Sequence, residues 1–260
     1  MNSKAQKAPL RELPVVVVGG GPAGLACSQQ LSKHSIEHVV LEKGSEPASC
    51  WRSLYSSLTL HTGKHLSTLP EQAFPPGTPM FVPKADFISY LDSYVENFSL
   101  PIECDRHATA LEREGDKWLV ETKTDSFLAD VVIVATGIIS SPKSPSFPQQ
   151  EVYQGELNHS IHYQNPIPYL GKRVLIVGVG NSGGEIASEL ANAGVDVSIA
   201  VRSGARVVPR SMAGIPIQYI GFVMTHLPRI FTQISLAWMG ILGRIMRGRP
   251  VLPPPRQNPC

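Results

Sequence analysis

The sequence predicts an α/β protein of two successive domains, each a parallel sheet flanked by helices. Three observations predict it: a four-valine run entering a glycine-rich turn, a second copy of that pattern 159 residues further on, and a stretch of alternating apolar residues between the two.

Val15–Val18 have the length and composition of a parallel strand buried on both faces. Gly19, Gly21 and Gly24 follow in G-x-G-x-x-G spacing, with Pro22 and Ala23 inside the turn. The first glycine permits the tight turn, and the second lets backbone approach a pyrophosphate. The third lets the helix pack on the strand, and the helix N-terminus then offers N–H groups to the anion. The next apolar run, His38–Leu41, ends at Glu42, 18 residues after Gly24. A carboxylate there suits the hydroxyls of a ribose.

The second copy starts at Lys172–Val179 and places Gly178, Gly180 and Gly183 in the same spacing, with Asn181 and Ser182 between the last two. Its second strand, Asp196–Val201, ends on Arg202 and Ser203, with no carboxylate. A carboxylate suits a bare 2′-hydroxyl and an arginine a 2′-phosphate. The first site therefore reads as FAD or NAD and the second as NADP(H). Together they point to a flavin-dependent oxidoreductase of two Rossmann-like domains.

Taken in order, residues 1–13 read as disordered. Lys43–Pro83, rich in Ser, Thr, Gly and Pro, reads as a long ordered loop. Asp86–Phe98 carries a helical stripe of Phe87, Ile88, Leu91 and Val95. His107–Asp130 reads as a β-meander inserted into the first domain, with turns near Gly115 and Thr124. Val131–Val134 reads as a further buried strand that runs into Ala135-Thr136-Gly137, small residues suited to a close approach of backbone to a cofactor. Prolines at 142–148, 166 and 168 mark connectors, which puts the domain boundary near Tyr163. Residues 14–163 are then the FAD domain and 164–210 the core of the NADPH domain. Residues 211–260 form an apolar helical segment with a proline-rich tail.

The four cysteines, Cys27, Cys50, Cys104 and Cys260, contain no C-x-x-C, which argues against a zinc site, a disulfide framework and a redox dithiol. A reduced, cytoplasmic setting is expected, and the polar N-terminus has no apolar core of a secretory signal. The net charge of +2 conceals an uneven distribution: from Val197 onward there are eight arginines and no Asp, Glu or Lys. The charge-free runs Ser211–Pro228 and Ile230–Gly243 are interrupted or too short to span a membrane. They read as helices covering an active site, with peripheral membrane contact and a homodimer kept open. The basic tail lacks interleaved aromatics, so no nucleic-acid partner is expected. His159 and His162 have the spacing of a metal pair, but no third ligand stands near them in sequence, so no metal is assigned.

The residues resemble the flavin-containing monooxygenases (class B flavoprotein monooxygenases). Besides the paired glycine turns, Tyr153–Tyr163 reads YQGELNHSIHY, similar to the F-x-G-x-x-x-H-x-x-x-Y fingerprint of that family, with Gly155, His159 and Tyr163 in place and tyrosine at the opening phenylalanine. Trp51, LTLHTGK at 58–64, Ala135–Gly137 and GNSG at 180–183 also fall in the family's order. Tyr163 is similar to the N-hydroxylating, S-oxygenating or YUCCA-like branches, and His61 with VVPR at 207–210 looks more like the YUCCA-like branch, whose plant members act on indole-3-pyruvate; that substrate is not carried over.

The resemblance implies FAD held by Gly19, Gly21, Pro22, Ala23, Gly24, Glu42, Lys43, Cys50, Trp51, Leu60, His61, Ala135, Thr136 and Gly137. It implies NADPH held by Thr62, Gly178, Gly180, Asn181, Ser182, Gly183, Arg202 and Ser203. His61 is the candidate catalytic residue beside the flavin. The implied chemistry is NADPH-driven formation of a flavin C4a-(hydro)peroxide that oxygenates a small molecule, with dioxygen as co-substrate. A flavin-dependent NAD(P)H oxidase and a non-catalytic homologue are the alternatives. Family members close the FAD domain with a segment after the NADPH domain, so a C-terminally shortened form is expected.

Overall fold

The valine run lies in strand β1 (Leu10–Val18) of the computed structural model, which describes residues 9–202, 210–212 and 214–225. The strand starts earlier than expected: residues 10–13, read as disordered from sequence, pair in parallel with Ser126–Ala129. The reason is the nine-residue partner strand, which offers a ladder along the whole of β1 and buries Leu13 beside Phe127 and Val120.

Helix α1 (Pro22–Lys33) and strand β2 (His38–Leu41) complete the first strand–helix–strand unit. There follow α2 (Ser49–Arg52), β3 (Thr59–Gly63), β4 (Phe81–Pro83), α3 (Lys84–Asn97), β5 (Ile102–Glu103), β6 (Ala110–Glu114), β7 (Lys117–Glu121) and β8 (Ser126–Val134). The six-stranded sheet runs β5-β2-β1-β8-β7-β6, parallel across β5-β2-β1-β8 and antiparallel across β8-β7-β6. Here the sequence reading needs correction. The last meander strand and Val131–Val134 are one strand, β8, and through it the inserted meander widens the main sheet. Val131 and Val134 are also 51% and 63% exposed, not buried. The register explains this, since β7 pairs with β8 only as far as Ala129, and beyond it β1 is the one flanking strand among the described residues.

Helix α3 buries Phe87, Tyr90, Leu91 and Tyr94 against Leu25, Leu60, Val82 and Leu100. Tyrosines 90 and 94 take places that the apolar stripe gave to Ile88 and Val95, which are half-buried. Their hydroxyls are satisfied by the loop above. Tyr90 Oη accepts from Leu69 N–H at 2.7 Å and donates to Gln72 O at 2.8 Å, while Tyr94 Oη donates to Pro70 O at 3.0 Å. A buried phenol with such partners brings its aromatic area into a core at little polar cost.

Burial, and then the neighbouring Tyr90 and Glu71, push the Tyr94 phenol up to about 12 from 10.0. Between those two values the unfolded chain releases this proton and the folded chain keeps it. The stability it contributes is therefore intact below pH 10.0 and is lost as pH rises towards about 12. Urea midpoints should fall over that range by more in the wild type than in Tyr94→Phe. The variant should itself be weaker by about 1 kcal/mol at neutral pH for the lost hydrogen bond.

Two units emerge from the packing: the chain up to Leu60 with Lys64–Tyr163, and the strap His61–Gly63 with the residues from Gln164 on. The second unit contains β9 (Arg173–Val177), α4 (Asn181–Asn192), β10 (Asp196–Ala200), β11 (Ser211–Met212), β12 (Ile215–Pro216) and α5 (Ile217–Thr225). β9 and β10 pair in parallel, and α4 buries Ile186, Ala187 and Leu190. Leu175, Val177 and Ile199 on these strands stay largely exposed. Among the described residues no helix is long and apolar enough to cross a membrane. The apolar run Ile230–Gly243 and the proline-rich tail lie outside the described residues.

Candidate functional site: two glycine turns

The two glycine turns repeat one backbone solution. Gly19 has φ +112° and donates its N–H to Leu41 O at 2.8 Å; Gly178 has φ +102° and donates to Ala200 O at 2.9 Å. Gly21 and Gly180 cap α1 and α4 in extended conformation with no side-chain cap, and Leu25 N–H and Gly184 N–H return to them at 2.9 Å. A Cβ on Gly24 would lie closer than 3.0 Å to Gly19 O, and one on Gly183 closer than 3.0 Å to Gly178 O, so glycine is what lets each helix reach its strand. Nothing stands within 4 Å of a Cβ built on Gly21, Gly178 or Gly180. Each turn thus presents an uncapped helix N-terminus and open space, which fits a pyrophosphate.

Some of the sequence-predicted residues lie around the first turn. Glu42 is 5% exposed; its Oε2 accepts from Gly20 N–H at 3.0 Å, and its Oε1 from Gly44 N–H at 2.9 Å and Ser49 Oγ at 2.8 Å. These bonds use three of the roughly four acceptor positions of a carboxylate, which leaves one for a ribose hydroxyl. Ala48 N–H donates to Gly20 O at 2.9 Å, holding α2, with Cys50 and Trp51, over the turn. Lys84 Nζ anchors that helix from below, donating to Arg52 O at 3.2 Å and Leu54 O at 2.5 Å. Burial lowers the Lys84 ammonium from its ordinary value and raises the Cys50 thiol, against the opposing pull of Lys43.

Ala135 closes the far side of the turn: its N–H donates to Val18 O at 2.8 Å, and its carbonyl would meet a Cβ on Gly19. Pro22 is half-buried, while Ala23, Lys43, Thr136 and Gly137 face outward, and Gly137 has φ +71°. Leu60 is a core residue, 7% exposed in the cluster under α3.

Around the second turn, Asn181 and Ser182 open α4 and are exposed, as is Arg202; Ser203 lies outside the described residues. One difference separates the turns. A Cβ on Gly20 would stand 3.0 Å from both Cβ and Oε2 of Glu42. Val179 occupies the corresponding place in the second turn, where Val201 replaces the carboxylate.

The strap carries His61 and Thr62 with the second unit, where His61 Nε2 lies 3.6 Å from Glu185 Oε1. Sequence reading missed Ser49 and Gly44 as partners of Glu42, and missed Glu185 and Gln218. Neither pair falls in a motif, and Gln218 meets its partner Gly63 across 155 residues.

In the fingerprint, His159 Nδ1 accepts from Ile161 N–H at 3.1 Å and caps the short turn Ser160–His162. Tyr163 is 4% exposed, edge-on to Tyr55 at 6.0 Å between ring centroids. Gly155 is crowded by the Tyr153 ring, which would meet any Cβ there. Among the described residues no group of three or more His, Cys, Asp or Glu side chains is placed to hold a metal ion.

The chain matches the pyridine nucleotide-disulphide oxidoreductase family over residues 16–213. It is 35% identical over 208 residues to indole-3-pyruvate monooxygenase YUCCA6 of Arabidopsis thaliana, covering 76% of this chain and 50% of that protein. To indole-3-pyruvate monooxygenase YUCCA4 of Oryza sativa subsp. japonica it is 33% identical over 217 residues, covering 76% and 49%. The chain spans about half the length of the curated relatives it matches. Among solved structures, a double mutant of a flavin monooxygenase from Stenotrophomonas maltophilia aligns with a TM-score of 0.76 at 26% identity, covering 95% of this chain and 72% of that one. The paired glycine turns and these likenesses agree: the chain belongs to the pyridine nucleotide-disulphide oxidoreductase family and is a flavin-containing monooxygenase family member.

Proposed function

We propose that this chain holds FAD over the first glycine turn and NADPH over the second, and uses them to place one atom of dioxygen into a small organic substrate. One observation carries the reading. Two turns of the same geometry differ at the ribose-reading position, where Glu42 faces the first and Val201-Arg202 the second. The carboxylate accepts from a 2′-hydroxyl and repels a 2′-phosphate, whereas the guanidinium pairs with the phosphate.

When bound, flavin would supply hydride acceptance from NADPH and the activation of dioxygen. The protein's part is to bind, orient and exclude water. The N-termini of α1 and α4 receive the two pyrophosphates, and α2 with Trp51 covers the first turn. NADPH, a proton, dioxygen and substrate go to NADP+, water and oxygenated substrate, so the balance needs no redox-active cysteine pair. This accords with the lack of any C-x-x-C in the sequence. The relatives named for indole-3-pyruvate make aromatic 2-oxo acids the first class to screen, with amines and thioethers next.

The deciding experiment is the visible spectrum of the purified protein, followed by anaerobic NADPH addition. A flavin spectrum that bleaches with NADPH, and more slowly with NADH, is expected. Product analysis in air then separates two outcomes: oxygenated substrate supports the proposal, and hydrogen peroxide alone supports an NADPH oxidase. Protein that takes up no FAD on reconstitution would sink both.

A further inference from the structure

Side chains from α4 and α5 converge on the strap His61–Gly63 within the second unit. Gln218, at the start of α5, grips it on either side of Thr62. Its Nε2 donates to His61 O at 2.8 Å, and its Oε1 accepts from Gly63 N–H at 3.2 Å. The carbonyl of one residue and the N–H two positions on share an edge of an extended chain, so this amide does what a neighbouring strand's peptide would do. Tyr219 lies against Gly63, where a Cβ would stand 2.5 Å from its Oη and 2.8 Å from its Cζ. Glu185 of α4 places Oε1 3.6 Å from His61 Nε2 and 3.6 Å from Arg210 Nη2. The glycine motif by itself requires none of these contacts.

We propose that Gln218 and Glu185 are positioning residues for the nicotinamide nucleotide. By fixing the strap on both sides of Thr62, they hold the His61 imidazole against Glu185 of α4, the helix that follows the turn that would receive the pyrophosphate, and keep the exposed Thr62 on a strap of fixed position. The strap is the end of strand β3, and gripping it through His61 O and Gly63 N–H leaves less of it to be ordered at each binding event. This role rests on the second turn being the NADPH site.

The test is calorimetric titration of the purified protein with NADP+, comparing wild type with Gln218→Leu and Gln218→Glu. Leucine removes both strap bonds; glutamate keeps the acceptor for Gly63 and sets a second acceptor against the His61 carbonyl. Both variants should bind NADP+ about tenfold more weakly, with FAD content unchanged. A merely structural role would lower both together. NADP+ affinity at the wild-type level in both variants would overturn the positioning role and leave the nucleotide site standing. Wild-type protein that binds no NADP+ would overturn the reading of the second turn itself. Should both Gln218 variants fail to fold, Glu185→Gln keeps the shape and removes the charge; wild-type affinity there would equally overturn the role.

Discussion

Gly24→Ala should yield a protein that melts earlier and retains no flavin, while its second unit still binds NADP+. The added methyl would stand closer than 3.0 Å to the Gly19 carbonyl oxygen. That oxygen is backbone, held in a turn whose N–H is bonded to Leu41, so no side-chain rotation relieves the clash. Either α1 lifts from β1 or the turn opens, and both move the N–H groups that would face a pyrophosphate. Overpacking of this kind costs about 1–3 kcal/mol or more, which lowers the melting temperature by roughly 3–10 °C in a chain of this size. Gly183→Ala is the matched control, because it meets the Gly178 carbonyl in the same way. It should spare the flavin and abolish NADP+ binding. Flavin absorbance per mole of protein and an NADP+ titration on both variants give the four values needed. Loss of both ligands in both variants would show that the turns do not act separately.

Glu42→Gln comes next in expected size. The carboxylate answers three donors from Gly20, Gly44 and Ser49 in a setting almost closed to water. A primary amide keeps one acceptor and turns an N–H pair towards a donor, so at least one buried N–H or O–H loses its partner. That costs about 1–3 kcal/mol, and the ribose also loses its anionic acceptor. FAD affinity measured by reconstitution should fall about 10- to 100-fold. Full FAD affinity with a lowered melting temperature would show that Glu42 holds only the loop, and full affinity with an unchanged melting temperature would remove both roles.

The two glycine turns were legible because their cause is local: a strand, a turn needing φ near +100° and a helix all lie within a few residues. The strand His38–Leu41 was read residue for residue for the same reason. The long strand β8 was misread as two. Its first half pairs with β7 and its second only with β1, and that change of company lies in residues far from it in sequence. In α3 the apolar stripe ranked Ile88 and Val95 above the tyrosines, because a phenol can be buried only if a distant loop supplies partners. That loop is Leu69–Gln72. At the site, Glu42 was visible from its spacing, but the donors that fix it and the Gln218 grip on the strap were not. They are single polar groups whose partners are set by the fold, with no periodicity to announce them.

The valine at 179 carries a consequence for how such a chain changes over generations. The two turns share a backbone, but drift between them is lopsided. Replacing Val179 by glycine would cost chain entropy, about 0.5–1 kcal/mol, together with the apolar burial of a half-buried side chain. A valine at 20 would press on the Glu42 side chain, whose Cβ and Oε2 already lie 3.0 Å from where its Cβ would stand. A lineage that abandons the carboxylate can therefore accept a larger residue at this place soon afterwards. Once it has done so, recovering the acid requires the larger residue to be lost first, so loss of the carboxylate is easier than its return.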